Sequence, residues 1–407
     1  MRIAIYTLGC KTNQYESEVI RESFLKKGDR VVAFKEIADL YIINSCVVTK
    51  KAEAETRKVV SEALNSNPNA SVILAGCYAT LNPIFSREHV ILYNGRKERL
   101  ADFYYGKNGE GNQEIITNFS RRTRAVVKIE EGCNNFCTYC IVPFVKGYAI
   151  RSKSEEVILQ EIEGFVDNGY KEIVLTATEI GKYGEDTHTT LAELLRKIKK
   201  IKGLERLRIS SIHPEHINDA FIGEIVSPLV PHLHISLQSG DNGILKMMRR
   251  GYTVEDFLRL IDRFRGIDKN FSISTDLIVG FPGETEDAFF HTVEVVREVQ
   301  FSKVHIFRFS KRPNTAAHFM KEDISESLKK TRANKLKEVA DIERREFKKR
   351  FMGARVKVLV EEYNDPYYEG FTPYYLRVRF KGDNAEIGSI VSVKIESYDP
   401  DYLYGIS

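Results

Sequence analysis

The run Cys133-Asn134-Asn135-Phe136-Cys137-Thr138-Tyr139-Cys140 follows closely on an apolar stretch, residues 125–129, that reads as a strand. Three thiols spaced C-x3-C-x2-C in one loop are close enough to grip a single metal centre. A structural zinc site takes four protein ligands in a closed shell, and this loop holds no fourth Cys or His; zinc stays open as the alternative. A [4Fe–4S] cluster normally takes four thiolates, so three leave one iron free for an external ligand. The amino and carboxylate groups of a small molecule can chelate that iron. An electron passed from the cluster to a sulfonium held there would split a carbon–sulfur bond, leaving orientation and exclusion of water to the protein.

Working outward, strand-like runs at 172–176, 206–211, 232–237, 272–279 and 303–309 alternate with helical stretches at 154–168, 191–201, 253–265 and 286–300. Six strand-and-helix units predict a partial (α/β)6 barrel with its working residues at the carboxyl ends of the strands. Upstream, strands at 2–7, 30–34, 40–43, 72–75 and 90–93 with helices at 15–27 and 51–65 predict an open, largely parallel α/β sheet. Cys10, Cys46 and Cys77 each fall just past a strand of that sheet, at the edge where such sheets bind ligands. One such cysteine would read as a buried small hydrophobe; three in one topological slot point to a shared site. Residues 95–123, with Gly106, Gly109 and Gly111 and the basic run Arg121, Arg122, Arg124, read as a linker. The charged helix at 326–350 links domains through a solvated face. Short strands at 354–360, 376–380 and 390–395 predict a small antiparallel, OB-like barrel. The expected domains are 1–120, 121–345 and 346–407.

With 407 residues, 43% hydrophobic and 29% charged, the chain is neither disordered nor a small disulfide scaffold. No apolar run approaches the roughly 20 residues that span a bilayer, and Met1 to Gly9 reads as a strand rather than a signal peptide, so a soluble, cytoplasmic protein is expected. A net charge of +4 decides nothing by itself.

The Cys133 loop resembles the cluster signature of the radical S-adenosylmethionine (SAM) superfamily. The resemblance covers nearly the whole chain and narrows to the methylthiotransferases, which combine an amino-terminal domain bearing three more cysteines, a radical barrel and a carboxyl-terminal TRAM domain. Thr7-Leu8-Gly9-Cys10-Lys11-Thr12-Asn13-Gln14-Tyr15-Glu16-Ser17, Asn44-Ser45-Cys46-Val47-Val48-Thr49 and Gly76-Cys77 look like the motifs of a second cluster. By that resemblance Cys133, Cys137 and Cys140 hold one [4Fe–4S] cluster and Cys10, Cys46 and Cys77 another. Gly181–Gly184, Leu237–Gly240, Met248–Arg250, Ile278–Glu284 and Phe309-Ser310 look like family blocks. Tyr139, Glu179, Gln238 and the backbone at Gly280 are thereby implied to hold SAM, although a turn at Gly280 or a helix cap at the polar residues fits as well. Ala177, Glu179 and Lys146 depart from the family's usual Gly, Asn or Asp, and Arg. The stretch around Lys11 is most similar to the branch that modifies threonylcarbamoyladenosine beside the tRNA anticodon.

The implied reaction uses one SAM to methylate a sulfur on the second cluster and another to make a radical that removes hydrogen from carbon 2 of the adenine. Acid–base catalysis cannot do that step, because an unactivated aromatic C–H has no useful acidity. The implied partners are a tRNA anticodon stem-loop, an electron donor such as flavodoxin or ferredoxin, and a sulfur donor. RNA affinity should show as clustered cations. From Gly353 onward acids such as Glu361, Glu362, Asp365, Asp383 and Asp399 outnumber bases, so the expected phosphate stripe lies on Lys329, Lys330, Arg332, Lys335, Lys337, Arg344, Arg345, Lys348, Lys349 and Arg350, with Arg377, Arg379 and Lys381. Phe371, Tyr374 and Tyr375 are either stacking platforms or barrel core. Isopentenyladenosine in tRNA, a ribosomal-protein side chain, and a non-enzymatic iron–sulfur RNA-binding or redox module remain the alternative readings.

Overall fold

Strands β1 (Arg2–Thr7), β2 (Arg30–Val32), β3 (Leu40–Ser45), β4 (Ser71–Gly76) and β5 (Val90–Tyr93) pair wholly in parallel in the order β2-β1-β3-β4-β5. The central β3 and β4 are buried, which is why they read as unbroken apolar runs. Helices α1 (Lys11–Leu25), α2 (Lys50–Ser66) and α3 (Cys77–Leu81) leave the carboxyl ends of β1, β3 and β4. The computed structural model describes residues 1–82, 87–107, 115–120, 122–321, 323–382 and 385–407; Gly109, Gly111, Arg121 and Asp383 lie outside the described residues.

Part of the expected linker is packed structure. Helix α4 (Leu100–Tyr104) places Leu100 and Ala101 in one core with Ile3, Ile20 and Phe24, while Ile116 and Phe119 belong to the core of the central barrel. The polar and glycine-rich composition between these few apolar residues hid them.

In the central unit, β6 (Arg124–Glu131) is followed by the short helix α5 (Val142–Lys146) and an antiparallel strap β7 (Arg151–Ser152). After α6 (Glu155–Asp167) comes β8 (Glu172–Ala177), paired in parallel with β6, and after α7 (Leu191–Ile198) comes β9 (Arg206–Ile209). The chain continues through α8 (Asp219–Ile222), β10 (His232–His234), α9 (Asn242–Met247), α10 (Val254–Ile267), β11 (Ser272–Val279), α11 (Glu286–Val299) and β12 (Lys303–Arg308). A parallel bridge, Ile212 to Ile235, joins the β6-β8-β9 ladder to the β10-β11-β12 ladder, giving six parallel strands with a lateral opening between β6 and β12. Ser154, Thr190, Thr253 and Thr285 cap their helices, two of them in capping boxes, which fixes where each helix starts above the barrel. Helix α1 lies along the open side: Tyr15 Oη donates to Glu161 (2.7 Å), Arg122 to Gln14 (3.0 Å) and Thr12 Oγ1 to the Ala177 carbonyl (3.4 Å).

Helix α12 (Glu326–Lys349) leads to a closed barrel of β13 (Arg355–Asn364), β14 (Tyr367–Phe371), β15 (Arg377–Lys381), β16 (Ile390–Tyr398) and β17 (Leu403–Ile406) in the order β13-β14-β15-β17-β16. The expected barrel was antiparallel throughout; the β15–β17 pair is parallel. A closed ring of five strands cannot alternate direction all the way round, so one parallel pair is unavoidable.

This barrel docks on the amino-terminal mouth of the central one. Arg206 donates to the Phe371 and Lys357 carbonyls (3.0 Å each), and Arg208, fully buried, donates to Glu172 (2.9 Å) and the Pro373 carbonyl (3.2 Å). Phe371 and Tyr375 face Arg124 at 4.6 and 5.3 Å from their ring centres, and Tyr374 Oη donates to Asp268. These aromatics serve the domain junction and are not a free stacking surface. The expected phosphate stripe on α12 is likewise reduced: Lys329, Arg332 and Lys348 are buried, Arg332 against Glu284 at 2.7 Å. The alternation that marks a solvated helix face missed the side of α12 that packs on α11 and β12.

No helix among the described residues is long and apolar enough to cross a membrane. Lys348 Nζ donates to the Asp399 and Pro400 carbonyls at 3.2 and 2.9 Å, and burial, reinforced by Arg344, pulls its pKa down to about 8. The unfolded chain keeps that proton up to the ordinary 10.5, so between these values the unfolded state binds more protons and stability rises with pH. Lys348→Met is expected to flatten that rise, read as the urea midpoint of both proteins between pH 8 and 10.5.

Candidate metal centres and cofactor site

The loops that carry Cys10, Cys46 and Cys77 are stitched together by their motif neighbours. Asn13 Nδ2 donates to the Leu8 and Ser45 carbonyls (2.7 and 3.0 Å), and Asn44 Nδ2 donates to the Asn13 carbonyl and Ser17 Oγ (2.9 and 3.1 Å). Ser45 Oγ donates to the Ala75 carbonyl and accepts from the Tyr78 amide. Gly9 and Gly76 take φ of 100° and 82°; a Cβ on Gly9 would stand 2.9 Å from Cys46 Cβ, and one on Gly76 2.6 Å from Asn44 Oδ1. Only glycine lets the three loops close up. Cys46 and Cys77 are buried and Cys10 is exposed, so the trio has one open side.

The Cys133 loop is clamped in the same manner. The Cys133 amide donates to the Gly147 carbonyl (3.0 Å), the Thr138 amide to Met248 (3.1 Å) and the Cys140 amide to Cys137 (2.9 Å). The ring of Tyr139 packs against the apolar set of Ile244, Met248, Ile278, Phe281 and Phe309 and anchors the loop. Arg250 Nη1 donates to Cys137 Sγ at 3.3 Å, while its other nitrogens hold Tyr252 Oη and the Ser236 carbonyl.

Burial pushes the Cys77, Cys133 and Cys140 thiols up to about 12. Thiolate trios in these positions therefore need a cationic core to neutralise them. A single tetrahedral zinc would draw three sulfurs to about 3.8 Å of one another. Among the described residues the set of three ligand groups within 4.8 Å is Glu179, His213 and His216, not either cysteine trio. Three thiols without a fourth protein ligand suit a cluster that keeps one iron open to an external group.

Glu179 follows β8 and is buried beside this loop. Its Oε2 meets His213 Nε2 at 3.0 Å and Asn135 Nδ2 at 3.4 Å, and its Oε1 is buried without a hydrogen bond. Burial draws the His213 pKa down, but Glu179 and Glu215 beside it more than offset this and the ring stands above its ordinary value. Gln238 is buried in a left-handed conformation, its amide bonded to the Asp276 carbonyl. The Gly280 amide donates to Glu284 Oε2 (2.7 Å), and a Cβ there would meet Lys329 Cγ at 2.3 Å, so the backbone at Gly280 forms a packed turn. Glu179 thus meets the cysteine loop through Asn135, Tyr139 belongs to that loop, and the Gly280 amide is bonded to Glu284. Asn135, His213 and His216 join the site with little sequence warning, while Arg250 comes from the Met248–Arg250 block. The paired histidines after β9 were the available signal. Phe136, Phe144 and Tyr148 form an exposed aromatic group on the same loop that the sequence did not single out.

One network ties the two cysteine loops. Glu16, six residues past Cys10, meets Lys146, six residues past Cys140, at 2.6 Å and Lys128 at 3.4 Å; Glu131 completes the set at 3.5–3.6 Å from both lysines. Burial alone would raise the Glu16 pKa, but the two ammonium groups hold it far below the usual carboxylate range. A cavity of 350 Å³ beside this network is lined by Glu16, Lys97, Lys128, Glu130 and Lys153, among others. Burial pushes Glu130 in its wall up to about 8.

Residues 127–296 match the radical SAM superfamily and residues 2–91 match an uncharacterized protein family, UPF0004. The chain is 42% identical, over 97% of its length and 94% of the relative's, to the threonylcarbamoyladenosine tRNA methylthiotransferase MtaB of Thermotoga maritima. It is 35% identical, over 96% and 93%, to the tRNA-2-methylthio-N(6)-dimethylallyladenosine synthase of Clostridium tetani. The fold is similar to that of the radical SAM methyltransferase TsrM of Kitasatospora setae, with a TM-score of 0.59 at 15% identity over 78% of this chain and 76% of that one.

Glu16→Gln leaves Lys128 and Lys146 buried with a single counter-charge and is expected to destabilise by roughly 3–5 kcal/mol. The loss should appear as faster hydrogen exchange in α1 and β6. Because the Glu16 pKa is depressed, its contribution is present above the unfolded value of 4.5 and is lost as pH falls below it; the variant should lack that acid-side decline.

Proposed function

We infer that this chain, which belongs to the radical SAM methylthiotransferase family, converts threonylcarbamoyladenosine at position 37 of tRNA, next to the anticodon, to its 2-methylthio derivative. The near-full-length likeness to threonylcarbamoyladenosine methylthiotransferases carries this reading, and the convergence of two separate cysteine trios supports it. The family uses SAM and a [4Fe–4S] cluster. We assign that cluster to Cys133, Cys137 and Cys140, and a second one to Cys10, Cys46 and Cys77. When bound, the first supplies the electron that cleaves SAM into a hydrogen-abstracting radical, and the second supplies the methylated sulfur.

The chain's own residues orient and shield. Arg250 holds the Cys137 sulfur in place through its hydrogen bond. Glu179 Oε1, which makes no hydrogen bond and stands 3.9 Å from His216 Nε2, suits the amino group of SAM; Tyr139 holds the loop, and Gln238 stands at the carboxyl end of the barrel beside β11. Glu16 and Lys146 set one cysteine loop against the other. The exposed rings of Phe136, Phe144 and Tyr148 offer faces to unpaired bases of the anticodon loop. The working units are 1–120, 121–345 and 346–407, in the cytoplasm, with an electron donor such as flavodoxin or ferredoxin and a separate sulfur donor.

Anaerobically reconstituted protein is expected to hold about eight irons per chain, falling to about four when Cys10, Cys46 and Cys77 are replaced together by Ala. With SAM, reductant and tRNA bearing threonylcarbamoyladenosine, nucleoside mass spectrometry should find the 2-methylthio product. Product from isopentenyladenosine tRNA alone would overturn the assignment.

A further inference from the structure

Lys11, the residue after Cys10, turns its side chain into the open side of the central barrel. Its ammonium stands 5.9 Å from the ring centre of Tyr375, which the carboxyl-terminal barrel inserts at the domain junction. There it borders a cavity of 270 Å³ whose walls include Arg124, Val126, Val174, Tyr375 and Glu361. The neighbouring cations are already spoken for: Arg124 meets Glu361 at 2.6 Å, and Arg208 meets Glu172 at 2.9 Å. The exposed Arg122 of the same cavity donates to Gln14 at 3.0 Å, and Glu362 on its rim is exposed. Lys11 makes no ion pair or hydrogen bond among the described residues.

Resting on the proposed substrate, we propose that Lys11 is the specificity-determining residue that binds the carboxylate of the threonylcarbamoyl group. The N6 substituent and carbon 2 of the adenine flank the same ring nitrogen. A cation one residue from a ligand of the sulfur-supplying centre is therefore placed to hold the substituent while carbon 2 faces that centre. The same cation disfavours an apolar N6 substituent, which would cover a charge with hydrocarbon and offer it no partner. A backbone phosphate shares the anionic chemistry, so the test separates the two sources.

Anticodon stem-loop RNAs carrying threonylcarbamoyladenosine, its carboxyl methyl ester, or unmodified adenosine serve as probes for the reconstituted full chain, with RNA binding measured beside methylthio product formation. For the wild type, esterification is expected to raise Kd and KM by about 10- to 100-fold with a much smaller change in kcat. Lys11→Met should bind acid and ester alike, and Lys11→Arg should restore the preference for the acid. Equal use of acid and ester by the wild type overturns the assignment without any variant, so a Lys11→Met protein that loses iron does not block the test. Full acid preference in Lys11→Met overturns it as well, and so does an equal loss of affinity for unmodified RNA, which would mark a phosphate contact. A wild type that ignores threonylcarbamoyl RNA yet modifies isopentenyladenosine RNA overturns the functional reading itself.

Discussion

The 2.6 Å contact between Glu16 and Lys146 is the constraint on which the geometry of the site depends. One partner follows Cys10 and the other follows Cys140, so this pair fixes how the amino-terminal sheet sits on the barrel. Apolar residues of similar volume would often stabilise such a junction as well or better. What the charged network adds is direction. Two lysines and two glutamates pair through Glu16 Oε1 and Glu131 in one rotation of α1 about its axis, and that rotation also sends Tyr15 to Glu161, Thr12 to Ala177 and Lys11 into the barrel.

The layout of the chain was legible because its central strands are buried on both faces and its helices are capped. β1, β5 and β11 match the expected runs end to end, and the placing of Cys10, Cys46 and Cys77 past parallel strands followed from α/β topology. The start of α1 was not legible: expected at residue 15, it begins at Lys11, because partners from another loop, the Asn44 side chain and the Ser45 carbonyl, hold its first turn. The same limit applies around the Cys133 loop. Its cysteines announce themselves by spacing, whereas His213 and His216 arrive from beyond a distant strand, β9, and look like ordinary polar residues until the barrel closes. Gly280 shows a different limit, since a glycine-rich turn reads equally as a ligand cradle and as a packing device, and its close approach to Lys329 accounts for the glycine without deciding between them.

Many of the chain's basic residues are structural, which is why net charge is a poor guide to its RNA surface. Lys128, Lys146, Arg206, Arg208, Arg332 and Lys348 are spent inside, on carboxylates or carbonyls. Lys330, Lys335, Lys337, Arg345 and Lys349 remain exposed on α12. Phosphate affinity that scales with released counterions can draw only on exposed cations of this kind.

The carboxyl-terminal barrel follows from the same logic of pairing. Glu172 sits in the central barrel among Arg124, Arg206 and Arg208, a net cationic group that cannot be satisfied from within. The carbonyls of Lys357, Phe371, Thr372 and Pro373 and the rings of Phe371 and Tyr375 complete it. A small barrel with a turn of such carbonyls is therefore a structural part of the central one, closing its amino-terminal mouth. Because Tyr375 in that turn also faces Lys11, the plug that satisfies the arginines forms one wall of the cavity beside the first cysteine.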